Sequence, residues 1–302
     1  MGKLLVQKFG GTSLVDTKRL EAAADIIVKT ISEGNSVAVV LSAMGVETDR
    51  LINLAKAIHP EPNLREYDAL VSTGEQISVA LMAMALSKRN LKAKSYTAYQ
   101  LGIQTNKRHG RARILDVKVE KLKKQIKKGV IPVITGFQGM NDEGDITTLG
   151  RGGSDTTGVA IAVALGADEC QIFTDVDGVF TTDPRWVKKA KKINHLTYDE
   201  MLEMASVGAQ VLEPRSVSLA KQNNVSLIVR SSFKNIKGTS ISKTRKIIEK
   251  RNVSGIVFSK NDSKITLLGV PDKPGVAAKI FGSLASQDIN VDMIVQNISA
   301  DG

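Results

Sequence analysis

The sequence predicts an α/β fold, a mainly parallel sheet sandwiched by helices, on three observations. Short apolar runs alternate with longer segments of helical periodicity, and glycine clusters follow the ends of several apolar runs. The third is size: 302 residues at 42% hydrophobic content can bury a substantial core and exceed a single small domain. Strand and helix taking turns imply parallel strands covered on both faces, and such sheets bind ligands beyond the carboxyl ends of their strands.

Taken in order, Leu4 to Lys8 and Ser36 to Ser42 are short apolar runs closed by glycine- or serine-rich turns and read as strands. Ala93 to Thr97, Ile131 to Gly136, Glu169 to Thr174 and Ser226 to Ser231 read the same way. Between them, Lys18 to Glu33 reads as a helical pattern. Asp49 to Ala57, Glu75 to Lys88 and Asp116 to Lys128 are further helical patterns. Ser154 to Leu165, which contains an alanine-rich run, and Arg215 to Asn223 complete the helical patterns.

Composition changes after about residue 235. Lys237-Gly238-Thr239 and the charged run Lys243 to Arg251 read as a linker, so residues 1–250 are expected to form one domain and 251–302 a smaller one. Within the latter, Ile265 to Val270, Pro274 to Ser286 and Asn290 to Ile298 read as strand, helix, strand.

The first strand runs into Lys8-Phe9-Gly10-Gly11-Thr12-Ser13. Paired glycines let backbone N–H groups close on an anion with no Cβ in the way, a following helix N-terminus adds partial positive charge, and Lys8 adds a mobile full charge. That is a phosphate site, although two glycines after a strand also make ordinary βα turns. The same chemistry recurs in Thr148-Leu149-Gly150-Arg151-Gly152-Gly153-Ser154-Asp155-Thr156-Thr157. Ser154 and Thr156 can cap the following helix, Arg151 offers a fork for carboxylate or phosphate, and Asp155 can orient a lysine or a metal. The plainer alternative, a helix cap beside a solvated arginine, leaves the glycine density unexplained.

With Leu41-Ser42-Ala43-Met44-Gly45, Ser72-Thr73-Gly74-Glu75-Gln76 and Phe173-Thr174-Asp175-Val176-Asp177-Gly178-Val179, these segments make five motifs whose order resembles that of aspartate kinases, members of the amino acid kinase superfamily. The resemblance covers nearly all of residues 1–250. Pro271-Asp272-Lys273-Pro274-Gly275-Val276-Ala277 resembles the strand-to-helix turn of ACT modules, the ligand-sensing domains that follow the kinase in many members. An ACT module needs two βαβ halves, and only the first precedes Gly302, so a partial ACT-like module is expected.

The resemblance implies transfer of the γ-phosphoryl group of ATP to the side-chain carboxylate of L-aspartate, the first step of lysine, threonine and methionine biosynthesis. It implies feedback by lysine, threonine or both through ACT modules, and a homodimer in the complete protein. Lys8 and Asp155 take the catalytic positions, with Lys8, Phe9, Gly10 and Gly11 against the phosphates. Ser42, Thr48, Glu75, Arg151, Gly152 and Ser154 fall on substrate positions, Glu75 for the ammonium and Arg151 for the carboxylate. Thr174, Asp175, Asp177, Phe180 and Arg185 fall on the nucleotide positions, and Asp272 to Ala277, including Lys273, Pro274, Gly275 and Val276, on the effector site. Trp186 departs from the aliphatic residue usual after that arginine. Magnesium is expected to arrive held by ATP phosphates, without a protein cage of its own. Other superfamily members, such as glutamate, acetylglutamate or uridylate kinases, or an effector-binding protein without catalysis, are the competing readings.

The net charge of +11 raises the question of nucleic acid, but only 4% of residues are aromatic and no nucleic-acid motif is present. The excess sits in Lys121 to Lys128, Lys188 to Lys192 and Lys243 to Arg251, expected to be solvated faces. The single cysteine, Cys170, lies in an apolar run and is expected to be a buried hydrophobe, which points to a reducing, cytoplasmic setting. No membrane span is expected, and His59, His109 and His195 have no metal-ligand spacing and are expected on surfaces or loops.

Overall fold

The computed structural model describes residues 2–209, 211–243, 253–258, 263–271, 273–287, 289, 291, 294 and 295. They fall into two units, Met1–Ser259 and Lys260–Gly302.

In the first unit the strands are β1 (Leu4–Phe9), β2 (Ser36–Leu41), β3 (Ala93–Tyr96), β4 (Ile103–Thr105), β5 (Ile114–Val117), β6 (Ile131–Thr135), β7 (Gln138–Met140), β8 (Ile146–Thr148), β9 (Glu169–Thr174), β10 (His195–Thr197), β11 (Leu227–Ser231) and β12 (Thr239–Ser242). The helices are α1 (Thr17–Ser32), α2 (Glu47–Ile58), α3 (Leu64–Val71), α4 (Thr73–Ser87), α5 (Ala98–Leu101), α6 (Glu120–Lys127), α7 (Gly153–Leu165), α8 (Tyr198–Ser206) and α9 (Pro214–Asn223), with a 3-10 turn at Gly11–Leu14. Eight strands form one sheet in the order β10-β12-β11-β9-β1-β2-β6-β3. All its neighbours pair in parallel except β11 and β12.

Alternation along each central strand explains the two faces. Val6, Ala38, Val40 and Ile134 enter the core that contains Val159 and Ile161 of α7 and Val217 of α9. Val37, Val39, Leu41 and Val133 enter the opposite core, with Ile27 of α1 and Met82 of α4. A strand buried on both sides reads as a continuous apolar run, which is why β2 was legible. Helix ends obey local chemistry: the Asp16 side chain accepts from the Arg19 amide at 2.7 Å, Thr197 and Glu200 form a reciprocal capping box, and α7 ends on Gly166 at φ +66°.

The structure departs from the sequence reading at several points. Four short strands form a second sheet, β5-β4-β7-β8, which no apolar run announced. Asp116 and Val117, expected to be helical, lie in β5 opposite Gln104 and Ile103, so the helix starts only at Glu120. Thr239, expected in a linker, opens β12 and is fully buried, its hydroxyl donating to the Ile193 carbonyl at 2.5 Å. Residues 253–258 also belong to the first unit: the Ile256 amide donates to the Thr181 carbonyl at 2.7 Å. Trp186 meets the Phe258 ring edge-on at 6.5 Å, an aromatic contact that the usual aliphatic residue could not make.

Helices α3 and α4 are nearly continuous from Leu64 to Ser87, a stretch long and apolar enough to cross a membrane by length and composition, contrary to expectation. Half of it is buried within the protein, and Asp68 and Glu75 are buried on it. Two carboxyl groups turned into the protein suit a central helix of the fold better than a lipid-facing one. The break between them at Ser72 has local causes: the Ser72 and Thr73 hydroxyls donate back to the Ala69 and Leu70 carbonyls, and Gln138 donates to the Ser72 carbonyl at 2.8 Å.

In the second unit, helix α10 (Val276–Ser286) follows Gly275, whose φ of +91° suits glycine, and has no buried residue. Ile265 to Val270, expected as a strand, carries no ladder among the described residues and is exposed; an apolar run becomes a strand only when a neighbour supplies hydrogen bonds. Asp272, most of Asn290 to Ile298 and Thr244 to Asn252 lie outside the described residues.

Candidate functional site

Lys8 sits in the middle of the sheet, in register with Val40 of β2 and Ile172 of β9. Two residues on from Val6, it points to the same face, toward α7. Space there comes from Gly158, where an added Cβ would stand 3.2 Å from Lys8 Cβ. The Lys8 ammonium meets the Asp155 carboxylate of α7 at 2.5 Å, both side chains nearly buried. A buried ion pair is held only if both charges are compensated, so the geometry fixes the lysine head at the end of β1 rather than adding stability.

The turn after β1 lies against neighbouring strand ends. Gly10 N–H donates to the Phe173 carbonyl, and Ser42 N–H to the Phe9 carbonyl, each at 3.1 Å. Gly11 approaches so closely that a Cβ would stand 3.0 Å from the Ala43 carbonyl. The Phe9 ring stacks on Phe173 at 4.5 Å inside the core, so only its backbone faces the turn.

Glu75 continues the inward stripe of α4 that includes Val79, Met82 and Leu86. It accepts a hydrogen bond from Ala43 N–H at 3.0 Å through one oxygen, while the other, Oε2, is buried without a partner. Burial pushes its carboxyl up to about 8, against the pull of the Ala43 amide and of Lys8. A buried acceptor with nothing to accept from is a place for a donor, and a cation would suit it best.

Loop 149–153 closes the site. Gly150 and Gly152 adopt φ of +78° and +66°, and a Cβ on Gly152 would come within 2.5 Å of Glu213 Cβ. Phe137, beside this loop, holds φ +68° although it is not glycine, a strain kept by Thr157, which accepts from its amide at 3.1 Å. A cavity of about 230 Å³ results, lined by Lys8, Ser42, Thr48, Glu75, Phe137, Gly150, Arg151, Gly152, Gly153, Ser154 and Asp155. Residues 143 positions apart in sequence, Lys8 and Arg151, thus share one wall. The cavity lining combines a lysine–carboxylate pair, a guanidinium and a buried carboxyl with one open oxygen, a set of groups suited to an anion that also bears an ammonium.

Thr174, Asp175, Asp177, Phe180 and Arg185 do not line this cavity. Thr174 ends β9 and its carbonyl accepts from Ser232; Asp177 pairs with Lys234 at 2.8 Å; Arg185 folds back on Asp183 at 2.7 Å. Near them lie residues that the sequence reading missed: Arg19 stands 4.1 Å over the Phe233 ring and Arg230 5.3 Å over Phe173. Single arginines on helix and strand carry no motif, so only the fold could group them.

Also missed were Glu213 and Arg215. The Glu213 carboxyl is raised by burial and by Asp155, and the Arg215 guanidinium donates to the carbonyls of Leu149 and Ala112 at 2.9 Å each. In the second unit, described by itself, Lys273 to Gly275 lead into α10, and Val276 and Ala277 open it. Among the described residues no group of three His, Cys, Asp or Glu could hold a metal ion. His59 is exposed and His109 lies in a turn, as expected, the latter with its Nδ1 3.0 Å from the buried Asp68, but His195 lies in β10 with its Nε2 3.0 Å from Ser242 Oγ. Cys170 is free and buried, its thiol pushed up by that burial.

Comparison with known proteins adds relatives. Residues 3–231 match the model of the amino acid kinase family, and residues 265–300 that of the ACT domain. The chain is 52% identical over 299 residues to the aspartate kinase of Pseudomonas putida, covering 99% of this chain and 73% of that one. It superposes on E. coli aspartokinase III in complex with aspartate and ADP with a TM-score of 0.79 at 28% identity, covering 98% of this chain and 77% of the other. The same enzyme with lysine and aspartate gives 0.79 at 29%, covering 97% and 77%.

Proposed function

The chain belongs to the amino acid kinase family as an aspartate kinase with an ACT domain, and from that premise we propose how its own residues bind and phosphorylate aspartate. The observation that carries the reading is the shared cavity of Lys8, Asp155, Glu75 and Arg151.

Aspartate enters with its α-carboxylate against Arg151 and its ammonium against the unpartnered Oε2 of Glu75, leaving the side-chain carboxylate facing Lys8. Thr48, Ser42 and Ser154 supply short polar contacts along the wall. Glu75, which holds a proton when buried alone, gives it up to solvent as the ammonium arrives. The nucleophile needs no base, because a carboxylate of reference pKa ~3.9 is already ionised at neutral pH. One of its oxygens bonds to the γ-phosphorus of ATP as the bond from that phosphorus to the β–γ bridging oxygen breaks, giving β-aspartyl phosphate and ADP. Two anions must meet, so the barrier is lowered by position and by positive charge: the Lys8 ammonium, aimed by Asp155, and the Gly11 amide of the following turn, whereas the Gly10 N–H, expected to join it, is already given to the Phe173 carbonyl.

The nucleotide lies along Thr174 to Phe180, with Arg185 released from Asp183 to reach it. Asp155 is the carboxylate at the reacting end that would fit magnesium, an ion that keeps water and phosphate ligands of its own. Bound there, the ion would neutralise phosphate charge. We assign the catalytic unit to residues up to about 250–259 and effector binding to Lys273–Ala277 and its surroundings, with lysine, threonine or both as effector. Two chains pairing through ACT modules would cover the exposed apolar residues Ile265, Leu267 and Leu268. The free, buried Cys170 suits a cytoplasmic protein.

The test is formation of aspartyl hydroxamate from aspartate, ATP and hydroxylamine with stoichiometric ADP. Phosphorylation of acetylglutamate or UMP in place of aspartate would overturn the reading.

A further inference from the structure

A fully buried carboxylate outside the cavity, Asp68 of α3, makes more hydrogen bonds than any group in the site itself. Its oxygens accept from Thr148 N–H at 2.9 Å, from the Thr148 hydroxyl at 2.6 Å and from Gly110 N–H at 2.9 Å and 3.1 Å, and His109 Nδ1 lies 3.0 Å away. Leaving a charge buried is costly unless its acceptor sites are filled, and here they are.

The place of these partners matters more than their number. Thr148 ends β8, three residues before Arg151, and Gly110 backs onto the same loop, its carbonyl 3.0 Å from where a Gly150 Cβ would be. On the other side, Asp68 and Glu75 are seven residues apart on one nearly continuous helix, so they share a face about two turns, or ~10 Å, apart. One carboxylate therefore joins the helix that carries Glu75 to the strand that launches Arg151.

We propose that Asp68 is a positioning residue for amino acid recognition: it sets the distance between the groups that receive the ammonium and the α-carboxylate of aspartate. This rests on the assignment of Glu75 and Arg151 above. Asparagine cannot replace it, because an amide turns one pair of acceptor sites into donors that would face the N–H of Thr148 or Gly110. Lys8 and Asp155 are tied to β1 and α7, with no bond to Asp68, so the reacting end is spared.

The experiment is steady-state kinetics on D68N, R151A and the double variant. Expected are a rise of about tenfold or more in KM for aspartate for D68N with KM for ATP within about twofold, and in the R151A background less than about threefold further loss in kcat/KM for aspartate, since the positioned group is gone. Additive losses, or equal rises in both KM values, would overturn the proposal and leave Asp68 a purely structural brace. R151A with an unchanged aspartate KM would instead overturn the substrate assignment. Should D68N not fold, Thr148→Val removes only the hydroxyl bond at near-constant shape and is expected to raise the aspartate KM about threefold, again not in the R151A background; no selective change would overturn the proposal.

Discussion

The reacting and recognition ends that the proposed binding mode assigns are built differently. The reacting end is a strand and the helix packed on it: Lys8, Gly10 and Gly11 are local, and Asp155 reaches Lys8 because α7 lies directly against β1. The recognition end is assembled from distant pieces, with Glu75 on α4, Arg151 on a glycine-bent loop, and Asp68 tying the two together. A charge that must neutralise a transferring phosphoryl is best anchored on the stiffest element, whereas a site that must tell one amino acid from another needs contacts from several directions.

Substitution should separate the ends by kinetic parameter. Lys8→Ala is expected to lower kcat by about a hundred- to a thousandfold, as loss of a donor to transition-state charge does, while leaving the aspartate KM nearly unchanged. A loss confined to KM would erase the distinction. Arg151→Ala should do the reverse, raising the aspartate KM about ten- to a hundredfold with a smaller effect on kcat, as expected for losing a charge-assisted bond. Both are read from initial rates in the hydroxamate assay.

The ends also differ in protonation. Since Glu75 holds its proton up to about pH 8 in the free protein, aspartate affinity should improve as pH rises from 6 toward 8, approaching about tenfold per unit, and E75Q should lose this slope as well as affinity. Stability should run the other way. A carboxyl that binds its proton more tightly folded than unfolded stabilises the fold fully below the unfolded value of 4.5, and that contribution is lost as pH rises through about 8. The melting temperature of the ligand-free protein should therefore fall between pH 5 and 9 more than that of E75Q; parallel curves would count against a buried, unpartnered Glu75.

The smallest effect is expected from Cys170, buried beside the reacting end. It should resist thiol reagents in the native protein and react only on unfolding, and Cys170→Ala should cost about 1 kcal/mol of stability with little change in kcat. Prompt native labelling would mean that the core around Lys8 opens more readily than the recognition end.

Much of this was legible in order along the chain. The central strands β2 and β6 are buried on both faces and so are nearly continuous apolar runs, β1, β9 and β11 are apolar over most of their length, and glycines after β1, β2 and β6 betray close backbone approach. The second sheet was not legible, because strands of three or four residues with one polar face leave no run to detect, and Asp116 and Val117 looked like the start of a helix. Asp68 was overlooked because, beside Arg65, Glu66 and Tyr67, it resembles an ordinary solvated helix carboxylate. Its stripe was there to be read: Asp68, Val71 and Glu75 recur at helical spacing and are all buried.

What the sequence determined by itself was therefore the six strands β1, β2, β3, β6, β9 and β11 of the main sheet with the principal helices between them, and the types of group gathered for phosphoryl transfer, since backbone periodicity and glycine are local properties. What only the tertiary structure decided was distance: that Lys8 meets Asp155, that Glu75 keeps a buried oxygen open, and that Asp68 ties β8 to α3. Those depend on which faces pack together once apolar area leaves water, and no stretch of the chain carries that information alone.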